Sequence, residues 1–89
     1  MANKASVKQK TITINDTEYT LQKLVPREWI RLKNRCRDRQ GNTNEEKLYD
    51  EILEYIVVSP QKKMDEFEDW QEFEQVITEA ISFQTGATF

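Results

Sequence analysis

Four arginines, Arg27, Arg31, Arg35 and Arg39, recur at every fourth position, which on a helix would set four guanidinium groups in one row. Such a row could neutralise the phosphates of a nucleic acid or steer an acidic stretch of polypeptide. Towards the other end of the chain an acid is twice followed by another three residues later, Asp65 by Glu68 and Asp69 by Glu72, with Glu66 and Glu74 beside them. Carboxylates this dense could hold a divalent cation, but the EF-hand order with its central glycine is missing. A helix start at this point accounts for part of the acidity without any ligand, because the helix dipole favours negative charge there.

Nucleophilic and metal chemistry find little to work with. The chain has no histidine, so neither a Ser-His-Asp nor a Cys-His arrangement can be built, and zinc would have to rely on one cysteine and carboxylates. The single cysteine, Cys36, excludes an internal disulfide. It falls on an apolar stripe, where a buried thiol is the expected role. No catalytic residue, metal-ligand set or cofactor motif is expected. Nucleic-acid binding through the arginine row is opposed by a pI near 5.0, by the neighbouring Asp38 and by the lack of interleaved aromatic residues for stacking bases.

The elements that would carry these groups follow from periodicity. KTITI over 10–14 and EYTLQKL over 18–24 both alternate, and Asn15-Asp16-Thr17 between them suits a tight turn. This predicts a β-hairpin with Ile12 and Ile14 on one face, meeting some of Tyr19, Leu21 and Leu24. Pro26 opens a first helix. Val25, Trp29, Leu32 and Cys36 form its buried stripe, and Gly41 is expected to end it. Thr43 with Glu46, or Asn44 alone, caps a second helix reaching about Val57. Its apolar residues cover more than half its circumference, as in a helix packed from two sides. Ser59-Pro60 should terminate it. A short turn capped by Asp65 and Glu68 then presents Phe67 and Trp70, and a third helix runs from Asp69–Glu72 to about Gln84 and stops at Gly86. The reading is an α+β fold, mainly α, with an N-terminal hairpin packed on three to four helices. Residues 10–86 form a single domain, with a frayed tail over 1–9 and a short one over 87–89.

At 89 residues the core must be thin, which argues against a deep catalytic cleft. With 37% hydrophobic and 33% charged residues the composition is that of a folded, helix-rich chain. No apolar run approaches a membrane span and MANKASVKQK lacks the apolar stretch of a signal peptide, so a cytoplasmic protein is expected. Residues 1–39 carry a net charge of +6 and residues 40–89 one of −9. Opposite halves can attract within one molecule or between copies, which makes self-association plausible. Most of Trp29, Phe67, Trp70, Phe73 and Phe83 are expected in the core, as large apolar residues usually are, but three short helices and a hairpin offer limited interior, which leaves room for some aromatic surface to face another chain.

The order of these segments, TITINDTEYTLQKL, PREWIRLKNRC, GNTNEEKLYDEILEYIVVSP and DEFEDWQEFEQVITEAISFQTG, resembles the small tail assembly chaperones of long-tailed bacteriophages and of prophages in Gram-positive bacteria. The likeness spans roughly residues 10 to 86, and its most characteristic parts are Ile56-Val57-Val58-Ser59-Pro60 and the Phe67 to Phe83 stretch. It implies a non-enzymatic protein of the infected cell's cytoplasm, absent from the finished virion. Such a protein binds the tape-measure protein, keeps it soluble and assists tail-tube subunits to polymerise around it. It also implies that a longer form made by translational frameshifting can accompany the short one. Within that picture Trp70, Phe73, Ile77 and Phe83 would form part of the client or self-association surface, with Arg27, Arg31 and Arg35 steering acidic segments. Two other roles remain open: a small phage or prophage regulator binding nucleic acid through residues 26–39, and a minor structural tail or connector protein.

Overall fold

A computed structural model describes residues 8–86; of the tail expected over 1–9, residues 1–7 lie outside the described residues, as does the tail at 87–89, while the Lys8 carbonyl accepts from Lys23 N–H and Gln9 begins the first strand. The element order is β1 (Gln9–Ile14), β2 (Thr17–Gln22), α1 (Pro26–Arg35), α2 (Glu45–Tyr55), β3 (Val57–Ser59), a 3₁₀ turn (Met64–Glu66) and α3 (Trp70–Thr85). The fold is α+β: a three-stranded antiparallel sheet in the order β1-β2-β3, followed and interrupted by three α-helices. No helix among the described residues is long and apolar enough to cross a membrane.

The hairpin forms where the alternation places it. Asn15 and Asp16 both adopt positive φ, 51° and 65°, the backbone that a two-residue hairpin turn demands and that these two residue types tolerate. Ile14 pairs with Thr17 and Ile12 with Tyr19 across the turn. Because side chains alternate, Ile12, Ile14, Tyr19 and Leu21 all face the helices, while Thr11, Thr13 and Glu18 face water.

The hairpin is only part of the sheet, because Val57–Ser59 adds a third strand beside β2. The expected helix over this segment gives way after Tyr55: Ile56 accepts a backbone hydrogen bond from Gln22 at 2.8 Å, and Val57 pairs with Leu21. The β-branched run Ile56-Val57-Val58 suits a strand. The competing edge of β2 supplies ladder partners that continued helix would have forfeited.

α1 is also shorter than its pattern suggests, ending at Arg35 and not near Gly41. Asp38 is the cause. Its Oδ1 accepts from the backbone N–H groups of Gln40 and Asn42, both at 2.9 Å, a local alternative to helix that aspartate often offers. Gly41 then takes the left-handed conformation, φ 85°, inside a loop closed by Asn44 N–H donating to the Cys36 carbonyl at 2.6 Å. Arg39 therefore lies off the helix, and the arginine row is three residues long.

Of the two candidate caps for α2, Asn44 is the one used, its Oδ1 accepting from Lys47 N–H at 3.1 Å. Ahead of α3 the expected Asp65–Glu68 cap is replaced by one from Glu66, whose Oε1 accepts from Lys63 N–H at 2.7 Å. Asp69 caps α3 through Gln71 N–H at 3.3 Å, and Gly86, with φ 77°, closes it.

The main core joins Ile14, Tyr19 and Leu21 of the sheet to Ile52, Leu53, Ile56 and Val57, and to Phe73, Val76, Ile77 and Ala80 of α3. Leu32 and Cys36 are equally inaccessible to solvent but stand apart from this cluster at the end of α1.

Candidate functional site

The acidic and aromatic stretch at the start of α3 is where most of the singled-out residues meet. Tyr19, on the central strand, donates its phenolic hydrogen to Glu72 of α3. Burial and this carboxylate acceptor raise the Tyr19 pKa well above the ordinary tyrosine range. Asn15, at the tip of the hairpin, donates to Asp69 at 3.3 Å and to Glu72 at 3.5 Å. Two of the acids thus fasten the hairpin to α3. Glu72 is drawn away from the reciprocal cap that its spacing from Asp69 suggested. Among the described residues no group of three or more potential metal ligands comes together.

The aromatic rings divide into an inner set and an outer residue. Phe67 stacks on Tyr19 with centroids 6.4 Å apart, and Phe73 meets Phe67 at 5.4 Å and Tyr49 at 5.7 Å, both edge-on. Lys62 covers the Phe67 ring at 4.4 Å. Trp70 touches this cluster only at its rim, 5.5 Å from Phe73, and is 65% exposed.

The four expected contact residues of α3 therefore have different fates. Phe73 and Ile77 belong to the core at 4% and 5% exposure, so they cannot meet another chain without the fold opening. Phe83 is half-buried beneath the Lys23 ammonium, 5.9 Å from its centroid. Trp70 alone of the four is presented outward. Periodicity sets Trp70 and Phe73 on one helical face, and only the tertiary position of the Phe67 and Tyr49 rings separates the covered one from the open one.

The arginines of α1 are exposed as a group, but two of the three are engaged. Arg35 forks onto Glu51 of α2, with Nη2 at 2.6 Å and Nε at 3.2 Å, and lies over the Tyr55 ring at 5.6 Å. The hydrogen bond to Glu51 holds its pKa above the ordinary arginine value. Arg31 faces Glu28 one turn earlier at 3.6 Å. Arg27 is exposed. Cys36 is fully buried with its thiol donating to the Leu32 carbonyl at 3.1 Å, and burial raises its pKa, as the inert reading requires.

Two apolar residues, one just before α1 and one on it, are also exposed. Val25, assigned by spacing to the buried stripe, is 44% exposed because it precedes the helix and caps it only through its carbonyl, which accepts from Trp29 N–H at 3.1 Å. Ile30 is 52% exposed. Its signal was present in the sequence: it lies off the Val25, Trp29, Leu32 stripe, among charged neighbours. Beside them Val25, Pro26 and Trp29 join Leu24, Lys23 and Gln84 around an open cavity of about 620 Å³.

The chain matches no model of a known protein family, no curated protein and no solved structure.

Proposed function

We propose that this chain is a tail assembly chaperone of a long-tailed bacteriophage or prophage, which associates with the tape-measure protein before the tail tube encloses it. The observation that carries the reading is Trp70, a large ring left 65% exposed on the first turn of α3, next to a closed aromatic cluster that could have accommodated it only by growing. Indole at a surface is a strong anchor for another polypeptide, because it removes much apolar area from water with few rotors to immobilise. Ile30 and Val25 offer further apolar area on α1. Charged side chains around them, Arg27 and Arg31 on α1 and Glu68 and Asp69 before α3, would keep a complex with an apolar helix soluble.

On this reading the client is a long chain with exposed apolar helical stripes, and each contact is small and readily displaced when tube subunits arrive. The chain works in the cytoplasm of the infected cell, is left out of the mature virion, and can coexist with a frameshifted longer form. A regulator binding nucleic acid is the weaker alternative, since Arg31 and Arg35 are already opposite carboxylates and Arg39 has left the row. The role of a minor tail or connector protein predicts the chain in purified particles, where mass spectrometry should fail to detect a chaperone.

Co-expression with a tape-measure protein tests the proposal. Trp70→Ala should leave the fold intact and lower the soluble fraction of the client several-fold. A folded Trp70→Ala, Ile30→Ser double variant that keeps the client fully soluble would remove the basis for it.

A further inference from the structure

The outer edge of β1 has no partner strand among the described residues. Pairing alternates along the hairpin, and Lys23 N–H donates to the Lys8 carbonyl at 2.9 Å, which fixes the phase. Lys8, Lys10, Ile12 and Ile14 thus turn their peptide groups towards β2, whereas Gln9, Thr11 and Thr13 turn theirs outward. Between this edge and α3 runs an open groove of about 380 Å³, lined by Ile12, Ile14, Glu74, Gln75, Thr78 and Glu79. Lys10 stands at one end of it, 3.9 Å from Glu79.

We infer that this edge is a self-association site, at which β1 of a second copy adds antiparallel across a two-fold axis through Thr11. In that register Thr11 meets its own counterpart, and Gln9 of each copy meets Thr13 of the other. All the outward-facing residues of one strand then oppose outward-facing residues of its mate, forming about six backbone hydrogen bonds. Among the described residues any other centre leaves some of the three unmatched.

Charge selects the occupant. On the α3 side of the strand the order is Lys8, Lys10, Ile12, Ile14, so antiparallel addition brings the lysine end of one copy to the Ile14 end of the other. That end is where the groove presents Glu74. Across the pair Lys8 and Lys10 balance Glu74 and Glu79, and the isoleucines meet apolar stems. The strand is thus the basic and apolar segment that its own groove fits, as an isologous interface requires. The two copies of α3 would come to lie about 10 Å apart, a normal packing distance for helices. The six-stranded sheet would also cover an edge that is unpaired among the described residues.

Sedimentation equilibrium of the full chain should show a mass approaching twice 10.6 kDa as concentration rises. Thr11→Pro removes one outward N–H and none that β2 uses. It should retain the monomer's circular dichroism and weaken association by roughly tenfold or more. In a Cys36→Ser background, Thr11→Cys should cross-link two copies on oxidation, and Glu18→Cys, on the far side of the hairpin, should not. If Thr11→Pro proves unable to fold, the cross-linking pair decides. A wild-type chain monomeric throughout, or a dimer that Thr11→Cys cannot trap, would overturn the inference. Neither result bears on client binding through Trp70, which lies outside the groove.

Discussion

The sheet with α2 and α3 is organised differently from α1. In α3, Phe73, Val76, Ile77, Ala80 and Gln84 are all buried, against strands and helices drawn from across the sequence. In α1 only Leu32 is buried within the helix, Trp29 is half-covered, and Ile30 is more exposed than not. The strongly apolar body supplies the stability. α1, half of whose residues are charged, meets it through Trp29, which packs against the core, through the Arg35 fork onto Glu51 and through a clasp at its entrance. Spacing alone makes the two helices look alike, since both carry an amphipathic stripe. How much of each stripe is covered depends on what the sheet and α2 leave room for.

The contrast is most severely tested by deleting side-chain volume from the body. Ile52→Ala removes a fully buried group from α2 and should cost about 2–5 kcal/mol in chemical denaturation. If it cost no more than a surface change, the body would not be the stable unit.

Alkali should attack the same body through Tyr19. Its pKa is raised in the fold by burial first and by Glu72 second, so the fold favours the neutral phenol. That preference is fully present below the ordinary tyrosine value of 10.0 and is lost as pH rises through the elevated one. Spectroscopic titration should show Tyr19 resisting ionisation until the protein unfolds, with Tyr49, whose pKa burial also raises, ionising above the ordinary tyrosine range. Glu72→Gln should bring the Tyr19 ionisation partway back, because burial remains.

The junction between body and arm is the next target. Gln84, 5% exposed, accepts from Leu24 N–H at 2.7 Å and donates to the Leu24 carbonyl at 2.8 Å. Gln84→Leu strands both peptide groups and should cost about 1–3 kcal/mol. Amide exchange should then quicken across residues 24–35 before it does so in β2. Uniform acceleration would mean that α1 and the body open together.

The smallest effect belongs to the arm itself. Ile30→Ala should change stability by less than about 0.5 kcal/mol, so a larger loss would show that α1 is packed more tightly than its exposure suggests.

Much of the fold was legible because local chemistry and tertiary structure agree. Asn15-Asp16 demanded a turn, Asn44 a helix start, and Gly86 a stop. The third strand was not, since Ile56 and Val57 continue the apolar spacing of α2 and only the waiting edge of β2 turns them aside. Asp38 ended α1 by a bond to its own loop, a competition that periodicity does not register. At the candidate surface, the sequence marked Trp70, Phe73, Ile77 and Phe83 as a set. Distinguishing Trp70 from the rest required the positions of Phe67 and Tyr49, which arrive from other segments.

The two bonds from Gln84 to Leu24 give the molecule a mechanical linkage. One amide in the final turn of α3 holds both peptide groups of the residue two positions before α1 begins. The start of α1, and with it the placement of Ile30 and the arginines, is thus set by a side chain some sixty positions away in the sequence.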